Sequence, residues 1–264
     1  MADRDYTAYN QVHLADIAEF IMEIAPLVHH FETGPFNWYV IRDSGRLTLV
    51  DAGFPGHYRI FLDGIRSIGC TLRDVEAILL THAHADHTGF AAYLRRVTDA
   101  PIFVHGDDRA TLERILQLPW YGLLSNAWRP SILGMFGHAI SNGLFTLPRI
   151  ANAHSFKDGD VLEVPGRPRV LHVPGHTRGE VAFHLPEAGV LFSGDSLITR
   201  DFLTGEGRRP HVPTRLFNED DRAARRSLER LSEVGQVTLL PGHGAPWAGT
   251  MAEAIEVARR ADAA

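Results

Sequence analysis

Apolar positions in the first thirty residues follow no clean period, and only Leu14–Ile24 has a spacing that suits a short helix. From Phe36 the pattern sharpens. Phe36-Asn37-Trp38-Tyr39-Val40-Ile41 is rich in aromatic and β-branched residues and predicts a strand. Ser44-Gly45 turns the chain, and Arg46–Val50 returns as a second strand ending at Asp51-Ala52-Gly53. Ile60, Leu62, Ile65 and Ile68 predict an amphipathic helix stopped by Gly69. Ala77–Leu80 is a short apolar run, as a buried strand requires. A helix through Phe90, Tyr93, Leu94 and Val97, a strand at Pro101–Val104 and a helix near 107–117 follow. Strands are predicted again at Val170–Val173, Val181–Leu185, Val190–Phe192 and Val237–Leu240. Helices fit 218–234, with Asn218 as N-cap and Glu219 and Asp220 in its opening turn, and 249–262. Strands alternating with helices define the α/β class. No Pro/Gly/Ser-rich linker interrupts the chain, so one domain over 1–264 is expected, with an apolar helical insert at about 118–150.

Composition narrows the classes of function. A lone Cys70 excludes an intramolecular disulfide framework and argues against a cysteine zinc site. No run of 18 apolar residues predicts a membrane span, and the polar opening MADRDYTAYN is unlike a secretory signal, so a cytoplasmic protein without membrane contact is expected. A net charge of −6 and a pI near 6.2 lack the basic footprint of a nucleic-acid binder. The expected partner is therefore a small-molecule substrate.

The 15 histidines are unevenly spread. Thr81-His82-Ala83-His84-Ala85-Asp86-His87 directly follows the buried strand at 77–80 and offers imidazole nitrogen and carboxylate oxygen, a donor set suited to divalent transition metals. A lone histidine on a loop is usually just solvated. Four titratable groups in six residues are costly together unless something ties them down. Three further donors each follow a strand and a glycine: His176 in Pro-Gly-His-Thr, Asp195 in Ser-Gly-Asp-Ser and His243 in Pro-Gly-His-Gly. Glycine lets the backbone approach closely and aim the next side chain.

The succession H-x-H-x-D-H, P-G-H-T, G-D and G-H resembles the metallo-β-lactamase-fold hydrolases over about Phe36 to Gly244, in the glyoxalase II/lactonase-like branch. Asn37-x-Tyr39-x-Ile41 and Leu49-Val50-Asp51-Ala52-Gly53 are similar to that family's opening hairpin. The resemblance implies an αβ/βα sandwich, two mixed β-sheets face to face with helices outside and the site at one edge. It implies a two-metal centre in which His82, His84 and His176 hold one ion, Asp86, His87 and His243 hold the other, and Asp195 bridges. Asp51 is then a supporting residue behind the ligands. Zinc is the first choice of metal, with iron or manganese accepted by the same donors.

Two ions about 3.5–4 Å apart generate a bridging hydroxide at neutral pH and clamp both the attacked and the leaving oxygen. The expected function is a metal-dependent hydrolase attacking an ester, lactone or thioester carbonyl, with Asp86 orienting the nucleophile and passing a proton to the leaving group. Asp195 argues against β-lactam hydrolysis as the main role, because the family's true zinc β-lactamases usually lack a bridging carboxylate. Glyoxalase II-like enzymes add a glutathione-binding helical tail that the 21 residues after His243 do not provide. A lactonase tyrosine is missing, Ser196, Leu197 and Ile198 standing in that region. The alternatives are a mononuclear iron persulfide dioxygenase, which shares the Thr-His-x-His-Ala-Asp-His run, and a non-catalytic metal-binding scaffold. The insert at 118–150 is read either as a lid or as core or a homodimer contact. As a lid it would bring Trp120, Tyr121, Trp128, Met135 and Phe136 around an apolar acyl group. Tyr121 or His138 would polarise a carbonyl, and Arg200 and His211 would meet an anionic group.

Overall fold

The computed structural model describes residues 21–114 and 124–261. Its first sheet has seven strands whose spatial order is their chain order: β1 (Ile21–Ala25), β2 (Val28–Thr33), β3 (Phe36–Asp43), β4 (Arg46–Val50), β5 (Val75–Leu79), β6 (Ile102–His105) and β7 (His154–Phe156). The first four form an antiparallel meander, and β4 to β7 run parallel. The second sheet is ordered β14-β13-β10-β9-β8, built from β8 (Arg169–His172), β9 (Val181–Leu185), β10 (Val190–Gly194), β13 (Gln236–Pro241) and β14 (Trp247–Thr250). A small hairpin of β11 (Ile198–Arg200) and β12 (Gly207–His211) lies between β10 and β13 in the chain.

Period-two alternation explains the layering. In β3, Tyr39 and Ile41 join an apolar layer with Val50, Ala77, Leu79, Val170, Phe183 and Phe192, so they face the second sheet. Trp38 and Val40 point the other way, against Phe61 and Ile65 of α1 (Tyr58–Ser67) and Phe90, Ala91 and Leu94 at α3 (Ala91–Thr98). The short helix α2 (Ala85–Thr88) lies between them in the chain. The outer face of the second sheet, through Leu171, Ala182 and Leu191, packs on Ala224 of α6 (Asp221–Ser227) and Met251, Ala254, Ile255 and Ala258 of α7 (Met251–Ala261). Strands buried on both faces read as near-continuous apolar runs, as Ala77–Leu80 does. The αβ/βα arrangement expected from the sequence is therefore the fold. No helix among the described residues is long and apolar enough to cross a membrane.

Several local expectations are corrected. The described part of the helix expected over Leu14–Ile24 is strand β1, pairing Ile21 with Phe31 and Met22 with His30. The sheet edge supplies backbone partners that a weakly periodic segment cannot match by itself. Asn218 is not the N-cap of α6; Asp220 is, its carboxylate accepting the Ala223 N–H at 2.9 Å. The helix expected over 218–234 continues after α6 as 3₁₀ turns at Leu228–Glu233. The helix expected near 107–117 is described only as the single turn α4 (Arg109–Leu112); residues 115–117 lie outside the described residues. The described part of the insert contains α5 (Pro130–Ser141), whose Ile132 and Ala139 are buried.

Candidate metal centre

All the functional loops leave the carboxyl ends of strands that run parallel within their sheet, which collects them at one edge of the sandwich. The loop after β5 carries the dense cluster. His84 is extended (φ −73°, ψ 159°) and Ala85 begins α2, so the chain doubles back and brings Asp86 and His87 towards His82 and His84. His176, Asp195 and His243 arrive singly from the loops after β8, β10 and β13. Cross-sheet bonds hold this edge together: Val181 N–H donates to Thr81 O at 3.0 Å, Asn37 N–H to Gly242 O at 2.9 Å and Tyr39 Oη–H to Pro241 O at 2.6 Å.

The structure brings all seven expected donors together. His84 Nδ1 lies 3.0 Å from His82 Nε2 and 2.9 Å from His176 Nε2. His243 Nε2 lies 3.3 Å from Asp86 Oδ2 and 3.2 Å from Asp195 Oδ2. Asp195 also reaches the other groups, with Oδ2 3.4 Å from His176 Nε2 and Oδ1 3.6 Å from His87 Nε2. Three overlapping triads have donor atoms within 4.8 Å of one another: His82-His84-His176, His82-His87-Asp195 and Asp86-His87-His243. His87 Nε2, His243 Nε2 and Asp195 Oδ1 are buried without a hydrogen-bond partner, although a buried polar atom ordinarily has one. The opposite nitrogen of both orphaned rings is anchored, His87 Nδ1 to Asp51 Oδ2 at 2.9 Å and His243 Nδ1 to Pro35 O at 2.7 Å; His176, whose Nε2 meets His84, is held at Nδ1 by Asn218 Oδ1 at 3.2 Å. Anchored on one side and orphaned on the other is how metal-ligating imidazoles are held, so the residues fit metal ions.

The electrostatics agree. Burial holds His82 well below the ordinary histidine value, helped by the surrounding imidazoles, and drives His176 down to about 3 against the pull of Asp195. Burial opposes charge on His87 too, but Asp51, Asp86 and Asp195 prevail and raise it to about 9. Asp195 and Asp86 likewise overcome burial to raise His243 to about 10. Burial pushes Asp86 and Asp195 upward, and the facing imidazoles hold both below the usual carboxylate range. The carboxylates thus call for positive charge in the space between the donors.

Asp51 lies beneath the dense loop. Its own φ is +61°, a left-handed conformation that costs a non-glycine residue about 1–2 kcal/mol. There its carboxylate accepts from Thr81 N–H at 2.8 Å and Thr81 Oγ–H at 2.8 Å as well as facing His87. Two buried acids went unread in the sequence. Asp108 accepts from Ala83 N–H at 3.0 Å, Gly179 N–H at 2.8 Å and Thr177 Oγ–H at 2.8 Å, joining the loops that carry His84 and His176. Glu180 accepts Asp195 N–H at 2.9 Å and faces His82 Nδ1 at 3.2 Å. An acid at the mouth of a buried strand was the available signal for Glu180, whereas Asp108 in Gly-Asp-Asp looked like any solvated turn.

A cleft of about 590 Å³, its open mouth included, lies over the edge. Its polar lining residues are His84, Asp86, His176, Asp195 and His243; the others are Phe36, Phe54, Met135, Phe136, Ala139, Leu144, Phe202 and Phe217. The helix α5 therefore does contribute a wall, through Met135, Phe136 and Ala139. Other expected substrate residues are elsewhere. Trp128 is 71% exposed and stacks under the Arg129 guanidinium at 4.8 Å, because the cleft face of α5 begins only after Pro130. His138 turns to His57, Nε2 to Nε2 at 3.0 Å, and packs on Phe36. Arg200 and His211 belong to the β11–β12 hairpin and do not line the cleft; His211 Nδ1–H donates to Arg209 O at 2.9 Å. Trp120 and Tyr121 lie outside the described residues. A further triad, His105-Asp107-His172, has rings stacked at 4.1 Å with planes 15° apart, so their in-plane lone pairs run side by side and do not converge on one ion.

Comparison with known proteins matches residues 32–243 to the model of the metallo-beta-lactamase superfamily, and the chain belongs to that superfamily. It is 25% identical to the probable metallo-hydrolase YflN of Bacillus subtilis, over 86% of this chain and 87% of that protein. It is 30% identical to the acyl-coenzyme A thioesterase MBLAC2 of Gallus gallus, over 60% of this chain and 56% of that protein. Among solved structures, TTHA1623 in a di-iron-bound form superposes with a TM-score of 0.57 at 28% identity, covering 87% of this chain and 96% of the other. The superfamily and the His/Asp clusters make this a metal-binding hydrolase-family protein.

Proposed function

We propose that the protein is a binuclear metal-dependent hydrolase of small esters, thioesters or lactones with an apolar acyl group, of the glyoxalase II/lactonase-like kind. The observation that carries this reading is the cleft: among the described residues its only polar lining comes from the donor cluster, and the rest of its wall is apolar. Such a site can bind an uncharged chain and present its carbonyl to the donors, but has no lysine or arginine among its described lining residues for a charged headgroup. The acyl-coenzyme A thioesterase among the relatives supports a carbonyl substrate.

Two divalent ions, zinc by preference, would be held by His82-His84-His176 and Asp86-His87-His243 with Asp195 shared; when bound they supply an activated water and polarise a carbonyl oxygen. The chain's own residues do the rest. Phe36, Phe54, Met135 and Phe136 hold the acyl chain and exclude bulk water. Asp86, whose side chain is 19% exposed beside the cleft, orients the attacking water, takes a proton from it and passes that proton to the leaving group.

The test combines metal analysis with a substrate panel. Two ions per chain and turnover of aryl esters, acyl thioesters or lactones that improves with acyl length are expected. One ion at saturation with His243→Ala harmless, cephalosporin turnover without ester turnover, or oxygen consumption with a persulfide would each overturn it, the last in favour of the dioxygenase chemistry.

A further inference from the structure

We propose that Glu180 is the positioning residue that fixes His82 as its Nδ1–H tautomer, so that Nε2 offers its lone pair to the metal, while tying that corner to the Asp195 loop. The proposal rests on the reading of the site as a metal centre. A neutral imidazole carries one proton, and the nitrogen that holds it is closed to a metal. His82 Nε2 faces the donor cluster, 3.0 Å from His84 Nδ1, so its proton must be kept on Nδ1.

Two neighbours meet that nitrogen. Thr81 Oγ1 lies 3.1 Å away, but its own hydrogen goes to Asp51 Oδ2 at 2.8 Å, which leaves the hydroxyl an acceptor towards His82. Glu180 Oε2 lies 3.2 Å away, close to the ring but not aligned as a hydrogen bond, and has no hydrogen-bond partner among the described residues. With Glu180 ionised, oxygen acceptors flank Nδ1 on both sides and it is the donor. Glu180 is fully buried and meets no guanidinium or ammonium among the described residues, so an ordinary ion pair does not account for it. Its other oxygen accepts the Asp195 N–H at 2.9 Å, and the intervening chain lies so close that a Cβ on Gly194 (φ +53°) would overlap Glu180 Oε1. One carboxylate thus sets the tautomer of a ligand from the first sheet and the backbone of a ligand from the second.

The test is Glu180→Gln. The carboxamide fills the same space but has one oxygen and one NH₂ group, so one of its two donor neighbours must face a donor. Zinc titration against a chelator should show the first zinc bound about 10–100-fold more weakly than in wild type. Two-bond ¹H–¹⁵N spectra of the metal-free variant should show the His82 proton moved to Nε2. If E180Q does not fold, the wild-type spectrum decides: zinc-loaded protein must show His82 protonated at Nδ1, and zinc ligation through Nδ1 overturns the proposal. Wild type that binds zinc while E180Q binds it within about twofold as tightly overturns the proposal alone. Wild type that takes up no zinc overturns the metal-centre reading with it.

Discussion

The two sheets contribute to the centre in opposite styles. The first delivers His82, His84, Asp86 and His87 on one loop whose course is set by an extended residue and a single helical turn, propped from below by Asp51 and Asp108. The second delivers His176, Asp195 and His243 one per loop, each aimed by the glycine before it. Gly175 (φ +144°) and Gly194 (φ +53°) have left-handed conformations, and a Cβ on Gly175 would overlap the Ala224 backbone. A Cβ on Gly242 would overlap the Asp195 carboxylate. A cluster of ligands can be built from ordinary backbone if carboxylates hold it down, whereas a ligand standing alone depends on how closely its loop can pack.

Asp195→Ala should have the largest effect, because its carboxylate faces both corners; turnover should fall about a thousandfold, with metal lost from both. If one corner keeps full occupancy, Asp195 belongs to the other alone. Gly175→Ala should cost more than about 4 kcal/mol, since both the backbone conformation and Ala224 resist it. Ala83→Gly in the dense loop should cost only about 0.4–1 kcal/mol. Equal losses in chemical denaturation would erase the contrast between the halves. Asp51→Asn should spare the fold and weaken metal binding at Asp86-His87-His243 by about 10–100-fold in a chelator titration.

Acid should act on the same first-sheet side through His57, which burial, with His138 behind it, drives down to about 3. Above pH 6.5 His57 is neutral in both folded and unfolded chains. Below it the unfolded chain gains a proton that folded His57 refuses until about pH 3, so stability falls across that window by about 1.4 kcal/mol per pH unit for this group. His57 Nδ1 accepts the Phe54 N–H at 3.1 Å, and Asn can replace that acceptor. His57→Asn should therefore flatten the pH slope of metal-free unfolding by about one proton; an unchanged slope refutes the assignment. The smallest effect is reserved for the cleft wall. Phe136→Ala should raise KM for long-chain esters about fivefold with kcat little changed, whereas Trp128→Ala should leave both alone.

The same contrast governs what the sequence revealed. His82 to His87 declared themselves by density, and Phe36 to Val50 by alternation broken at Ser44-Gly45, where φ of +52° and +78° makes the tight turn. His176, Asp195 and His243 were readable only in company, because Gly-His or Gly-Asp after a strand is commonly a plain turn. Asp108 and the Pro35 carbonyl were not readable at all, and Glu180 only as an acid at the mouth of a buried strand: each acts on a partner more than 14 residues away in the chain, and no local period records such a contact. Strand β1 was missed because its partner, not its own pattern, makes it a strand. Trp128 was misplaced because apolar character marks an insert as able to cover a site without saying which of its side chains turn inward.

The cleft wall also separates inheritance from invention. Met135, Phe136 and Ala139 stand on α5, and Phe202 and Phe217 on the turns beside the β11–β12 hairpin, segments that add no strand to either main sheet. The helix is fastened by a few replaceable bonds: Ser131 Oγ–H to Leu203 O at 2.6 Å, the His57–His138 contact and Gly56 N–H to Asn142 O at 2.9 Å. None of the residues making them is a metal donor or one of the buried acids beneath the donors. The mould can therefore be recast for a longer, shorter or bulkier guest while the reacting atoms keep their places, which makes residues 124–147 the natural place to graft new selectivity onto an unchanged chemistry.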